Sequence, residues 1–557
     1  VPARDEPPGT AGRSGRHDPG ATAATGRSAG DDDLCAARFA LDAARAVVAA
    51  AASTLAKAGP DAIDAHQAVA YDLAHAASAL DVASNLLAYA SHGPSETATA
   101  AAFAAEAITD LAGRVYGREA AWGVEPGCLD PARDFVTRWR DPSRLTALAG
   151  LDAPDHLDAE LALVADTFRR FARQSIAPLA GQIHRRNADI PEDLIAGLGR
   201  LGAFGLSVPE RYGGSASGTT SDYLGMVVAT EELSRASLGA GGSLVTRPEI
   251  LARALVAGGT EEQKRRWLPR LASGEAMAAV AVTEPDYGSD VAGIATSAEP
   301  TTGGDWVVSG TKTWCTFAAR ADLVMLLVRT EADRSLAHRG LSLFVVEKPP
   351  SDGKGFVLRQ DGGGRLEGRP IDTLGYRGMH SYELAFDRWQ VPGANLVGGS
   401  AGRGRGFYLQ MAGFESGRLQ TAARAVGVMQ AALDEARSYG AFRAVFGRPL
   451  GDHQLTAVKL ARMAVVVQAC RQYSYHVARL MAGGGGGTEA SMAKAYACRA
   501  AEWVTREAQQ LHGGMGYAEE DPVSRLFVDA RVLSIFEGTD ETLALEVIAP
   551  RLLSDQA

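Results

Sequence analysis

Three stretches of the chain hold residue types able to do chemistry. Near the end, Ser534-Ile535-Phe536-Glu537-Gly538-Thr539-Asp540-Glu541 sets a carboxylate directly before a glycine at the mouth of a helix. Taken alone, Glu537 is a surface acid at a helix start. In a desolvated pocket, the same carboxylate is suited to removing a proton α to a carbonyl. A second stretch, Ser243-Leu244-Val245-Thr246-Arg247-Pro248-Glu249-Ile250, carries an arginine within an apolar helix. An unpaired buried guanidinium is costly, whereas its planar fork binds a carboxylate through two hydrogen bonds. Arg247 is therefore read as a carboxylate ligand, unless it pairs with Glu249 or another acid or points to solvent. The third, Gln510-Leu511-His512-Gly513-Gly514, ends in two glycines that permit the close backbone approach a phosphate requires.

Other chemistries are excluded by what the chain lacks. Cys35, Cys128, Cys315, Cys470 and Cys498 show no CxxC spacing and no histidines at metal-ligand intervals, so neither a disulfide framework nor a zinc site is expected. Gly402, Gly404 and Gly406 follow no strand and lack the full dinucleotide-binding spacing. A net charge of −10 with pI near 5.7 argues against a nucleic-acid partner. No apolar run is read as reaching bilayer length, and residues 1–33 lack the apolar core of a signal peptide. No membrane partner is expected, and the location expected is cytoplasmic.

The elements that position these residues follow from periodicity. At 557 residues the chain exceeds a single core. Residues 1–33, rich in Pro, Gly, Ala and charge, are expected to be a disordered tail. Residues 34–150 are Ala- and Leu-rich at helical spacing, stopped at Gly59-Pro60 and His92-Gly93-Pro94, and form an extra N-terminal helical domain. Residues 151–275 are also helical, with breaks at Pro191, Val208-Pro209 and Tyr212-Gly213-Gly214. Between 276 and 397 the period changes, with strands expected at 306–310, 321–328 and 341–346, giving an antiparallel β domain. Residues 398–557 return to long helices, over 407–439, 451–481 and 488–512. The fold class is α+β and multidomain. One repeat is visible: Ala65-His66-Gln67 through Arg118-Glu119-Ala120 parallels Asp452-His453-Gln454 through Arg506-Glu507-Ala508, although two Ala-rich hairpins also resemble each other by composition alone.

The run Val282-Thr283-Glu284-Pro285-Asp286-Tyr287-Gly288-Ser289-Asp290 resembles the flavin-binding signature of the acyl-CoA dehydrogenases, and the agreement continues from about Asp155 to the C-terminus. Asp286-Tyr287 stands where that family has Gly-Ala. The resemblance implies a helical domain, a β domain and a C-terminal helical bundle, with FAD as cofactor and an acyl-CoA as substrate. It implies that Val282, Thr283, Ser289, Trp314 and Thr316 meet the flavin. Arg443, Val445, Phe446, His453, Gln454, Gln510, Gly513 and Gly514 would reach the adenine half of FAD across a subunit interface, so a homodimer or homotetramer is implied. The family often has Thr where this chain has Val445. Thr539 and Glu541 would also contact FAD. The family's base falls on Glu537, whose backbone N–H stabilises the thioester oxygen. The helix bearing Thr246 and Arg247 aligns with the floor of the acyl pocket, and Ser289, Phe414, Arg418 and Gly538 complete the substrate set. An arginine there implies a dicarboxylic acyl group, short and branched by the same resemblance, with a glutaryl or short branched-chain acyl group, and an oxidase passing electrons to oxygen, as the alternatives. Electron-transfer flavoprotein is the acceptor the family implies.

Overall fold

The computed structural model describes residues 29–150 and 153–555. Its first helix, Ala29–Lys57, already includes Ala29 to Asp33, so the expected tail is shorter than read; residues 1–28 lie outside the described residues. Asp32 and Asp33 fall in its first turns, where negative charge suits a helix N-terminus, and Asp33 accepts from Arg138 Nη1 at 2.7 Å. The span Asp32–Lys57 is long and apolar enough to cross a bilayer by length and composition, which corrects the expectation that no such run exists. Its hydropathy comes from an alanine- and leucine-rich face, Ala37, Ala40, Leu41, Ala44, Val47, Ala51 and Leu55, and that face is buried in the protein core.

Two helical hairpins organise the all-helical half. One is formed by Gln67–Tyr89 and Pro94–Val115, the other by Gln454–Ala482 and Gly487–His512. In each, the His-Gln mark of the sequence repeat opens the first helix: His66 and His453 are the N-cap residues. The hairpins pack against each other and share one apolar core, in which Leu73, Leu80, Phe103 and Ile108 join Val467, Tyr473, Ala497 and Val504. The N-terminal helices are thus one layer of a common core with the C-terminal bundle.

The central sheet has eight strands: β1 (Ala278–Ala281), β2 (Ser297–Pro300), β3 (Trp306–Thr316), β4 (Leu323–Arg329), β5 (Leu341–Glu347), β6 (Phe356–Arg359), β7 (Arg365–Ile371) and β8 (Ser381–Val391). It is mixed, which corrects the antiparallel expectation. β1 runs parallel to β4, with Ala278 opposite Leu323 and Ala281 opposite Leu326, and β2 meets the end of β4 in parallel at Ser297 and Arg329. Every residue of β4 is buried. Its unbroken apolar run, Leu323-Val324-Met325-Leu326-Leu327-Val328, is the pattern of a strand covered on both faces, not of one with a solvated side.

Local capping sets the frame around the site. The Thr260 side chain and Gln263 form a capping box for the helix Glu261–Ser273, and Asp521 caps Pro522–Leu533 through the Val523 N–H at 3.0 Å. Leu238–Ser243 is a π-helical turn leading into Leu244–Gly258, the helix that carries Arg247. The long helix Gly406–Phe442 runs alongside it and bears Phe414, Arg418 and Arg424.

Candidate functional site

Glu537 lies in the turn between Pro522–Leu533 and the short helix Asp540–Leu543. It is buried and sits at φ +57°, a left-handed conformation costly for a residue with a Cβ. Gly538 follows at φ +94°. Two anchors hold the turn downstream: Lys494 Nζ donates to Gly538 O at 2.6 Å, and the Thr539 hydroxyl accepts from Thr542 N at 3.2 Å. The carboxylate rests against the helix Gly406–Phe442 at Gly417, where a Cβ would stand 3.2 Å from Oε2, tight enough that the carboxylate would have to give by a few tenths of an ångström.

Arg247 Nη1 donates to Glu537 Oε1 at 3.1 Å, and both side chains are buried. The acid facing Arg247 is therefore Glu537 and not Glu249. Glu249 accepts instead from Arg253 Nε at 2.6 Å, Ser416 at 2.8 Å, Ser207 at 2.9 Å and Gln420. Burial works against charge on Arg247, but Tyr376 and Glu537 outweigh it and hold the guanidinium above its usual pKa. Arg418 and Arg424 flank the same carboxylate. Burial pulls both below the usual arginine range; Glu537 acts in the opposite sense on each, and the charge of Arg247 adds to the depression at Arg424. Arg424 donates to Ser243 Oγ at 3.1 Å and Thr421 Oγ1 at 2.6 Å and lies over the Phe536 ring, while Arg418 reaches Ser491 Oγ at 3.3 Å. The Nε of each of the three arginines and Oε2 of Glu537 are buried with no hydrogen-bond partner among the described residues. Three guanidinium groups thus surround one carboxylate.

Of the other residues expected around substrate, Thr246 is fully buried and its hydroxyl donates to Gly242 O at 3.0 Å. Phe414 is half-buried against the apolar cluster of Ile250, Leu251 and Leu409. Arg424 and Lys494 were not singled out from sequence. A signal was present: each is a cation in a run of small residues, Ala422-Ala423-Arg424-Ala425 and Met492-Ala493-Lys494-Ala495, with no exposed face to occupy.

The residues expected at the flavin fall into two groups. Val282 is buried and Thr283 half-buried at the end of β1, with Thr283 O accepting from Thr313 N at 2.8 Å. Trp314 is 56% exposed at φ +57° on β3, and Thr316 beside it is buried, its hydroxyl 3.4 Å from that of Ser381. The Ser289 hydroxyl accepts from Thr542 Oγ1 at 2.9 Å, which brings this loop onto the turn carrying Glu537, Gly538, Thr539 and Glu541. The loop is anchored by a buried pair missed in sequence: Glu284 accepts from Lys312 Nζ at 2.8 Å and from the backbone N–H groups of Ala295 and Thr296 at 2.7 and 2.9 Å. A cleft of about 330 Å³ lined by Arg499, Glu502, Arg531, Ile535 and Glu541 opens beside the turn. A larger open groove, about 580 Å³ between Asp189, Glu192, Phe317, Arg320 and His380, contains none of the residues singled out from sequence.

The second group lies apart. Phe446, 97% exposed at φ +50°, tips a hairpin of Ala444–Val445 and Arg448–Pro449, with His453 Nε2 3.1 Å from Val445 O. Arg443, Gln454, Gln510, Gly513 and Gly514 are exposed. Among the described residues no hydrogen bond or ion pair joins this group to the first.

A helical layer, a mixed sheet and a helical bundle set the buried Glu537 at the end of the bundle and the exposed Trp314 on the sheet. The chain belongs to the acyl-CoA dehydrogenase family: it matches the acyl-CoA dehydrogenase N-terminal domain over residues 158–275, the middle domain over 279–389 and the C-terminal domain over 404–553. It is 42% identical over 443 residues to (2S)-methylsuccinyl-CoA dehydrogenase of Cereibacter sphaeroides, covering 77% of this chain and 78% of that protein. A glutaryl-coenzyme A dehydrogenase solved with glutaryl-CoA superposes with a TM-score of 0.65 at 31% identity, covering 72% of this chain and 97% of the other. A glutaryl-CoA dehydrogenase from Mycobacterium smegmatis in complex with FADH2 gives a TM-score of 0.63 at 27% identity, covering 72% of this chain and 96% of the other. The family is FAD-dependent, and the residues present suit that group: an exposed indole beside Thr316, hydroxyls at Ser289, Thr539 and Thr542, and open space over Gly513 and Gly514.

Proposed function

We propose that this acyl-CoA dehydrogenase oxidises a short branched dicarboxylic acyl-CoA, (2S)-methylsuccinyl-CoA, to mesaconyl-CoA, the step of the ethylmalonyl-CoA route. The observation that carries the reading is the contact of Arg247 with Glu537 inside a cluster of three buried guanidinium groups. A pocket for a plain fatty acyl chain has no use for this charge; a substrate carboxylate neutralises it and satisfies the unpartnered Nε atoms.

Glu537 is the base. A substrate carboxylate arriving at Arg247 competes for the fork now shared with Oε1, and Oε2, with no partner of its own, takes the α-proton. The negative charge that develops on the thioester oxygen is met by the Glu537 backbone N–H, in the turn that holds this residue at φ +57°. FAD would be held by Val282, Thr283, Ser289, Trp314, Thr316, Thr539 and Glu541 and would supply the acceptor for the β-hydride. Arg443, Phe446, Gln454, Gln510, Gly513 and Gly514 would complete that site for a neighbouring subunit, which makes the active unit a homodimer or homotetramer, with electron-transfer flavoprotein as the electron acceptor.

A site organised around a charged hydrogen-bonded group rejects the analogue lacking it by a factor on the order of 10⁴. Anaerobic bleaching of the bound flavin by methylsuccinyl-, glutaryl-, isobutyryl- and butyryl-CoA tests this. Bleaching by methylsuccinyl-CoA well ahead of the others, lost in Arg247→Ala, is the expected result. Equal bleaching by butyryl-CoA, unchanged in Arg247→Ala, overturns the dicarboxylate reading and leaves the family intact.

A further inference from the structure

The helix Gln67–Tyr89 lies outside the three family-matched segments, yet it reaches to within three residues of Glu537. The Tyr71 hydroxyl donates to Asp540 Oδ2 at 2.7 Å, and His75 Nε2 stands 3.2 Å from the same oxygen without hydrogen-bond alignment, its imidazole held below the usual pKa by burial. Their rings pack edge to face with centroids 4.4 Å apart. His75 and Asp540 are both buried. Among the described residues of the C-terminal bundle only Arg499 approaches Asp540 as an ion pair, and its Nε is 4.0 Å away. Asp540 opens the short helix after the turn, and its backbone N–H donates to Ser534 O at 3.2 Å, closing the loop that holds Glu537 and Gly538. A side chain fixed at Asp540 therefore fixes the downstream end of that loop. Glu537 itself is at φ +57°, a conformation that persists only where the surroundings over-determine it.

We propose that Tyr71 and His75 are positioning residues: through Asp540 they hold the turn that aims Glu537 at the substrate, so the N-terminal helices are part of the catalytic support. The inference rests on the reading of Glu537 as the base. A carboxylate displaced by about 1 Å loses proton-transfer rate by up to roughly 10²-fold while ground-state binding changes little. The supporting shell therefore shows in kcat before it shows in KM.

The test uses the full-length, flavin-loaded enzyme and compares Tyr71→Phe/His75→Leu with wild type. The expected result is a kcat lower by on the order of tenfold, KM for the CoA thioester within about threefold, unchanged bound flavin, and a larger α-deuterium isotope effect on kcat. His75→Gln with Tyr71 intact keeps the Tyr71 hydrogen bond to Asp540 and a polar side chain beside it, and retains most of the rate. Glu106→Gln breaks the 2.9 Å pair with Arg462 between the N-terminal and C-terminal hairpins away from the turn, and leaves kcat at the wild-type value. A kcat within twofold of wild type in the double variant overturns the proposal. So does a loss of rate that tracks loss of flavin or that Glu106→Gln reproduces, since either reports general loosening. Turnover retained in Glu537→Gln would instead remove the base reading; an inactive Glu537→Gln beside an unaffected double variant removes the brace alone.

Discussion

Nη1 of Arg247 and Oε1 of Glu537 are 3.1 Å apart, so the residue proposed as anion ligand and the residue proposed as base are in direct contact. On that proposal, substrate binding and release of the base are coupled in one contact. A substrate without an anion to offer Arg247 leaves the carboxylate engaged.

Arg247→Lys keeps the charge and removes the planar fork. Losing one bidentate geometry should lower kcat/KM for methylsuccinyl-CoA by roughly 10 to 100 fold, with butyryl-CoA reduction little changed. Stopped-flow flavin reduction with both substrates measures it; equal loss for both would place Arg247 in support of Glu537 only.

Glu537→Gln removes the proton acceptor at nearly constant shape. The reductive half-reaction should slow by about 10² to 10⁴ fold with flavin content unchanged. Exchange of the α-proton with deuterated solvent, followed by NMR, should stop in the same variant.

Gly417→Ala puts a methyl group 3.2 Å from Glu537 Oε2. The carboxylate must give by a few tenths of an ångström, so kcat should fall several-fold, on the order of the cost of slight misplacement, with KM nearly constant. An unchanged kcat would show that the turn absorbs the shift.

Burial pushes the Asp540 carboxyl up, but His75, Tyr71 and Arg499 outweigh it and hold its folded pKa below the model-peptide value of 3.8. A depressed acid contributes stability that is fully present above its unfolded pKa and is lost as pH falls through the folded one. The stability difference between wild type and Asp540→Asn should therefore be constant above about pH 5 and shrink below about pH 4. Thermal unfolding across pH 3 to 8 checks it; a difference that instead grows with acid would contradict the sign.

Lys312→Met strands the Glu284 carboxylate, which is buried with Lys312 Nζ at 2.8 Å. Breaking one side of a buried pair costs about 3–5 kcal/mol. The variant should unfold at lower denaturant and lose flavin from the Thr283 to Asp290 loop, read by absorbance of the purified protein.

Much of the scaffold was legible from periodicity and punctuation. The strand reading at 306–310 grows into β3, and the 321–328 and 341–346 readings are β4 and β5 within two residues at each end. The helix stops at Gly59 and Gly93 stand because glycine and proline interrupt the backbone ladder whatever the surroundings. The sheet's mixed order was not read, although the unbroken apolar run of β4 carried the sign of it. Which strand lies beside β4, and in which direction, depends on how the loop from Thr283 to Thr296 crosses over, and Glu284 with Lys312 fixes that crossing.

The sequence by itself determined which residues are apolar, where elements begin and end, and that Glu537, Arg247 and the Val282 to Asp290 loop belong to one family pattern. Tertiary structure alone decided the partners. Arg247 had two acids to choose from, and the nearer in sequence, Glu249, was already taken by Arg253, Ser207 and Ser416. Arg424 and Lys494 became part of the site only when Gly406–Phe442 and Gly487–His512 packed side by side. Tyr71 met Asp540 across 469 positions of chain. Periodicity tells which face of a helix is buried, but the charge that a buried side chain meets is set by a distant element whose approach no local pattern encodes.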